Sequence, residues 1–351
     1  MEESMKCRSP RLAALLLSVL GTAVPAAAQT PINVSYQVTI HGIPLQIADD
    51  KNWWAEIGLK PGDMTSFAAG AQQIAAVASK SWDVGLMGGP PALLGASRFN
   101  VQTVLILVDD SRANGVVAKG DQAAAIMANP VAALKGREYL VPANSTSDYA
   151  AQSCFRKWGL QPGDVKAVNI APGAIVDAFK SSNIPIGAIW APHFLRMETQ
   201  AGGKLVCTGQ DGGATVTANL VVRDDYLKSN MDTVARFTAM YLRALDFMKK
   251  NKAETLVAMK RFYDKGGVVL SPSEMDAEYT SRDYFDLAQQ VALFDRSKGP
   301  SKLDDIHNRL AGFFKAAGTI PAVLDPKTYV NPDVIAYIEK DPKLKAFAEG
   351  K

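Results

Sequence analysis

The sequence predicts an α/β fold of mainly parallel sheets flanked by helices, followed by a helical C-terminal tail. Three observations carry this reading. Between residues 31 and 222, short apolar runs alternate with stretches of helical period, which implies crossover connections between parallel strands. From Arg223 onward only helical periodicity remains. The 351 residues exceed what one core usually supports, so two domains are expected.

Taken in order, a strand at 33–38 precedes a helix at 44–56, and a strand at 64–67 precedes a helix at 71–79. The pair repeats as a strand at 83–87 with a helix at 91–97. Strands at 101–108, 115–119 and 138–141 come next, the last followed by a helix at 148–158. A strand at 165–170, a helix at 174–181, a strand at 186–190 and a helix at 192–201 continue the alternation, which closes with strands at 205–207 and 215–222. The tail holds helical segments at 234–249, 253–263, 273–279, 284–294 and 303–316 with no strand between them. Such a tail packs around one α/β unit and is not a third domain. In sheets of this kind ligands bind beyond the carboxyl ends of strands, beside helix N-termini.

Composition is that of a globular chain: 48% hydrophobic, 21% charged, 27 Gly and 19 Pro. A net charge of +3 and a mean hydropathy of −0.01 point to neither nucleic-acid binding nor a multi-span membrane protein. Lys6, Arg8 and Arg11 precede an apolar run at 12–24, too short to span a bilayer, which ends in Pro25-Ala26-Ala27-Ala28-Gln29. That is an export signal, residues 1–28, cleaved near Ala28-Gln29 and directing the chain to the periplasm. Glu2 and Glu3 are unusual in such a segment, which makes Met5 a second possible start. Cleavage leaves a net charge of +2.

Cys7 precedes the apolar run and is no lipid-anchored terminus; Cys154 and Cys207 lack metal or redox spacing. An oxidising compartment permits a bridge between them, and their spacing leaves open whether they meet.

No dinucleotide or phosphate-binding glycine motif and no serine-hydrolase elbow is present. His41, His193 and His307 match no zinc spacing. Neither a cofactor, a metal nor a catalytic residue is expected. The acidic neighbours Asp49-Asp50, Asp109-Asp110, Asp224-Asp225 and Asp304-Asp305 do not share a helix face and read as solvated turns and helix starts.

Three strand-to-helix turns remain: 67–73, 85–91 and 143–148. Each puts small or hydroxyl residues where a helix begins, so a ligand can reach free N–H groups and a positive dipole end. Capping needs only one Ser or Thr, whereas Ser145, Thr146 and Ser147 stand together. Pro90 and Pro91 cannot donate, so their turn offers a shaped wall. Trp190 ends a strand and stands where an aromatic covers a ligand or fills a core; Trp53, Trp54 and Trp82 read as core.

Asn33-Val34-Ser35-Tyr36-Gln37, Asn52-Trp53-Trp54-Ala55-Glu56-Ile57-Gly58-Leu59, the turn at 67–73, Ser81-Trp82-Asp83-Val84-Gly85 and the turn at 88–91 follow one another in a familiar order. Ala133-Leu134-Lys135-Gly136-Arg137, residues 144–148, Trp158-Gly159-Leu160, Ala171-Pro172-Gly173-Ala174 and Ala188-Ile189-Trp190-Ala191-Pro192 continue it. Over about 31–215 the chain resembles the periplasmic nitrate/sulfonate/taurine-type binding proteins of ABC importers; the tail is similar only in character.

The resemblance implies a two-lobed, type II periplasmic-binding-protein (Venus-flytrap) fold. Lobe 1 would comprise 29–110 with 215–351 and lobe 2 would be 111–214, with hinge crossings near 109–114 and 209–218. It implies a small-molecule ligand contacted by Gln37, His41, Gly70, Gly89, Ser145, Thr146 and Trp190. It also implies an inner-membrane ABC permease and its ATPase as partners of a monomeric protein. Pro185 and Ala191 stand where the family often carries acids, which argues against a cationic amine on the ligand. The cleft loops lack Lys and Arg apart from Arg112 near the hinge, so an anionic head would rest on helix N-termini, while a neutral or aromatic ligand would lie under Trp190.

The same fold serves enzymes, among them a desulfinase with a cysteine nucleophile in the first lobe and pyrimidine-precursor synthases. Both cysteines after residue 28 lie in the second lobe, so the thiol mechanism has no matching residue and binding without turnover is expected. A third class, a ligand-presenting subunit for a membrane sensor, would have an identical cleft. Neighbouring permease and ATPase genes separate transport from sensing.

Overall fold

The strands of this computed structural model, which describes Glu2 and residues 29–351, sort into two mixed sheets. The charged start, the apolar run and the small residues before Gln29 lie outside the described residues. In chain order the strands are β1 (Thr30–Tyr36), β2 (Leu59–Ser66), β3 (Val84–Gly88), β4 (Val101–Asp109), β5 (Asn114–Lys119), β6 (Glu138–Val141), β7 (Lys166–Asn169), β8 (Ile186–Trp190), β9 (Gly203–Thr208), β10 (Thr217–Arg223) and β11 (Asp283–Tyr284). The first sheet runs β11-β4-β10-β3-β1-β2 and the second β7-β6-β8-β5-β9.

The sheets are not mainly parallel, as the alternation had suggested. β1 is parallel to β2 and β3, and β6 to β7 and β8. By contrast, β10 is antiparallel to β3 and β4, β11 to β4, and β5 to β8 and β9. The reason lies in the crossings. Helix-linked strands end at the gap between the lobes, whereas β5 and β10 begin at the crossing and must run away from it.

The chain passes between the sheets from Asp109 to Asn114 and returns from Thr208 to Thr217. The two connections are tied together. Gly209 N donates to Asn114 O (2.8 Å), Gln210 N to Ser111 O (3.0 Å) and Asp110 N to Val216 O (2.8 Å). Val216 N also donates to the Ser111 hydroxyl (2.9 Å).

Alternation along β5 serves both faces of the second sheet. Val116 packs with Tyr139, Phe155 and Ile186, and Val117 with Leu140, Phe179 and Ile189. The tail packs on the first lobe. Phe237, Leu242 and Leu245 of the helix Met231–Lys250 share a core with Ile32, Val34 and Leu105, and two further helices, Asp333–Lys340 and Pro342–Ala348, complete it. Trp53, Trp54 and Trp82 are buried. The stretch expected as one helix at 44–56 divides into Ile43–Asp50 and Trp53–Glu56, because Asn52 adopts a left-handed φ of 56°, a conformation Asn tolerates. Cys154, on the helix Thr146–Lys157, is disulfide-bonded to Cys207 of β9 (S–S 1.99 Å). No helix among the described residues is long and apolar enough to cross a membrane.

Candidate functional site

The carboxyl ends of β1, β2, β3, β6 and β8 deliver one cleft between the two sheets. Gln37, Ala69, Gly70, Ala71, Gly88 and Pro91 line one wall, and Ala143, Asn144, Ser145, Thr146 and Trp190 the other. Three helices start there: Gly70–Ala75, Gly89–Phe99 and Thr146–Lys157. No Lys, Arg, Asp or Glu lines the cleft, so its electrostatics come from backbone N–H groups and helix dipoles, which favour a negative or strongly polar group.

Local bonds decide which polar atoms stay available. Asn144 takes a left-handed φ of 59°, and its N–H donates to Asp148 Oδ2 (2.8 Å). The Ser145 hydroxyl caps the helix by accepting from Asp148 N (3.2 Å). The Ser147 hydroxyl donates to Asn114 Oδ1 (3.0 Å), whose Nδ2 donates to Asp110 O (3.0 Å). Two of the three adjacent hydroxyls are therefore committed to the protein, and that of Thr146 remains. Opposite, Gln37 Nε2 donates to Gln73 Oε1 (3.2 Å). Gln73 is fully buried and donates in turn to Ser35 Oγ (2.8 Å) and Leu86 O (3.3 Å), so a buried amide fixes the orientation of Gln37.

Trp190 is 7% exposed, and its Nε1 has no protein partner. It is followed by a cis peptide at Ala191-Pro192. The cavity itself measures about 20 Å³, room for roughly one water. Gly88 explains the tightness: a Cβ there would lie 2.3 Å from Thr146 Cγ2 on the other wall. The two walls touch at this point, so the cleft as it stands has no room for an organic molecule. A larger depression of about 370 Å³ lies on the outside of the first lobe, but its charges pair with one another, Lys51 with Glu254 (2.7 Å) and Arg261 with Asp50.

Of the residues singled out from sequence, Gln37, Gly70, Ser145, Thr146 and Trp190 meet in this cleft; His41 and Gly89 do not line it. Gly89 opens its helix but faces Thr217 and Leu310. His41 is buried behind the cleft, with Nε2 2.9 Å from Asp110 Oδ2. Arg112, the cation near the hinge, pairs with Asp283 (3.2 Å).

Asp110 itself corrects the reading of the acidic neighbours as solvated: it is 2% exposed. Arg282 donates from Nε to Asp110 Oδ1, from Nη1 to Glu278 O (2.8 Å) and from Nη2 to Ala191 O (3.3 Å). Burial works to raise the Asp110 pKa, but the charges of Arg282 and His41 and their hydrogen bonds outweigh it and hold the group at about 2. Arg282 stands in no turn with motif character, and Gln73, though it closes the turn at 67–73, carries no sign in the sequence of its burial. Arg282 reaches the site from the tail, 172 residues beyond its partner.

The described residues hold no cluster of three or more His, Cys, Asp or Glu able to bind a metal. The NMT1-like family matches residues 25–260. The chain is 26% identical over 317 residues to the taurine-binding periplasmic protein of Escherichia coli K12, covering 83% of this chain and 94% of that protein. Among solved structures, the alkanesulfonate-binding protein of Xanthomonas axonopodis pv. citri bound to MOPS superposes with a TM-score of 0.70 at 18% identity, over 87% of this chain and 99% of that one. The periplasmic nitrate-binding protein of Synechocystis PCC 6803 gives a TM-score of 0.61 at 16% identity, over 92% and 89%. Both structures share the two-lobed periplasmic-binding-protein fold.

Proposed function

The chain belongs to the NMT1-like family, and from that premise we propose that it is the solute-binding component of an ABC importer. It works in the periplasm as a monomer and captures a small organic anion of sulfonate or carboxylate type between its lobes. One observation carries this reading: helices from both walls begin at a single cleft that has no charged side chain. An anion bridging them favours the closed arrangement through contacts with both lobes. Gln37, Gly70, Thr146 and Trp190 contact the solute, while Ser145 shapes the turn. Residues 29–110 with 215–351 form one lobe and 111–214 the other, and the closed pair is presented to a permease and its ATPase.

Binding proceeds without turnover. Cys154 and Cys207 are bonded to each other, so neither offers a thiol nucleophile. Relatives named for taurine and alkanesulfonates support the sulfonate class, and Ala191 beside Trp190 supports a head without an amine.

Titration calorimetry of the polypeptide from Gln29 with methanesulfonate, taurine, nitrate and benzoate tests the reading. Saturable binding of an organic anion with no product by mass spectrometry is expected. Conversion of the added compound would make the protein an enzyme, and failure of every anion to bind would overturn the proposal. Intact mass of the exported protein, expected to begin at Gln29, tests the compartment.

A further inference from the structure

Three buried nitrogens on one short segment have no protein partner: Trp190 Nε1, His193 Nδ1 and Arg196 Nε. Buried donors are nearly always bonded, and leaving one without an acceptor costs about 1–3 kcal/mol. Finding three within seven residues, beside the cleft, calls for a common cause.

The segment leads away from the cleft. Trp190 lines it, and the His193 ring stands edge-on to Trp190 with centroids 6.2 Å apart. Arg196 follows at i+3, on the same side of the helix His193–Ala201. Farther along, Thr199 donates to Glu274 Oε1 of the tail (3.0 Å), so this helix abuts the opposite lobe.

Arg196 forms no ion pair among the described residues. Glu274 senses its charge, but its two oxygens are bonded to Ser271 and Thr199. Burial, and then the charge of Arg196, lower the His193 pKa to about 4. At neutral pH the segment therefore carries one positive charge, on Arg196, and two neutral ring groups. With the lobes apart, water can serve all three nitrogens, Trp190 Nε1 and Arg196 Nε as donors and His193 Nδ1 in whichever role its tautomer gives it. With the walls in contact none of the three has a protein partner, and a polar group on the solute would supply one.

We infer that Trp190, His193 and Arg196 form a second subsite that receives a carboxylate-class group on the end of the solute remote from the helix N-termini. The inference rests on the cleft being the solute site. It makes the preferred solute a short organic acid with an anionic group at each end, one held by backbone amides and the other by a guanidinium. Arg suits that role because its planar fork matches a carboxylate.

Calorimetry with two probes, methanesulfonate and sulfoacetate, separates this inference from the reading it rests on. The unaltered protein should bind sulfoacetate at least tenfold more tightly than methanesulfonate. Arg196→Gln should abolish that preference while leaving methanesulfonate affinity within about twofold. Trp190→Phe, which keeps a ring over the solute and removes the donor, should weaken both probes, sulfoacetate by the larger factor. The melting temperature of each variant without solute should stay near that of the unaltered protein. Equal affinity for both probes, or a preference that survives in Arg196→Gln, overturns the second subsite and leaves the cleft standing. If neither probe binds, the second subsite falls, and the cleft falls with it when taurine, nitrate and benzoate fail as well.

Discussion

Arg282 and Asp110 form an ion pair in near-complete burial, their side chains 1% and 3% exposed, where the chain first leaves the larger sheet. The pair is the middle of a chain of bonds. Tyr263 OH donates to Glu278 Oε1 (2.7 Å), Glu278 Oε2 lies 3.0 Å from Arg282 Nη1, and Asp110 continues to His41. Through Ala191 O the same guanidinium holds the residue next to Trp190. A helical tail thus reaches both the crossing and the cleft wall.

Arg282→Met should be severely destabilising, because it leaves Asp110 and Glu278 buried without their cation. Breaking a buried pair in this way costs about 3–5 kcal/mol. The urea midpoint should fall accordingly, and replacing Asp110 and Glu278 as well should recover part of the loss. Equal midpoints for Arg282→Met and the unaltered protein would show that the network carries little stability. For the pH dependence, Asp110 is held at about 2 when folded, below the usual 3.8. Its contribution is complete above about pH 4 and disappears as pH falls toward 2.

His307 gives a different acid sensitivity. It is fully buried, and burial pushes its pKa from 6.5 to about 4, with the Asp304 charge opposing. Between those values the unfolded chain binds a proton that the folded one refuses. Stability should therefore fall with pH across this window, by about 1.4 kcal/mol per unit from this one group. Urea unfolding between pH 7 and 4 measures the slope, which His307→Gln should flatten.

Thr146→Val and Trp190→Ala should each weaken solute binding about tenfold or more. The Thr146 hydroxyl has no duty within the protein, and a bond from it to a charged solute contributes about 1.5–3 kcal/mol. Thr146→Val should keep its melting temperature. Trp190→Ala truncates a ring buried in a core cluster and should lower it, at a cost of about 3–5 kcal/mol. Calorimetry below that transition with whichever anion binds best decides the matter. Unchanged affinity in both would move the site elsewhere.

Gly88→Ala should hold the lobes apart. Its new methyl would fall 2.3 Å from Thr146 Cγ2, so closure becomes strained while each lobe folds normally. Small-angle scattering should show a larger radius with solute present, and affinity should drop. Adding Thr146→Ser removes the opposing methyl and should restore closure.

Reduction of the Cys154–Cys207 bridge should lower stability by about 2–4 kcal/mol, since it closes a loop of 53 residues. The polypeptide from Gln29, denatured without reductant, should titrate no free thiol.

What could be read from sequence follows the range of the interactions. Apolar runs such as 104–108 and 186–190 mark strands because a strand buried on both faces is largely apolar. The Ser145–Ser147 turn was visible because three adjacent hydroxyls exceed what capping requires. Direction was not visible: β5 and β10 look like any other strand, and only the crossing makes them run against their neighbours. Asp110 looked like a turn acid because its counter-ion is Arg282. Gln73 closes the turn at 67–73, and only its burial beside Gln37 sets it apart from its neighbour Gln72. The two-residue β11 is too short to have a pattern.

The ties between the two connections set how the molecule can move. Single strands would allow the lobes to twist and slide as well as swing. Here Asn114 is bonded to Gly209, Ser111 to Gln210 and Asp110 to Val216, which makes the pair a laced ribbon two strands wide. Such a ribbon flexes easily across its thin direction and resists torsion and shear in its own plane, like a leaf spring. Opening then has essentially one degree of freedom, so a single label-to-label distance across the gap would follow the whole excursion.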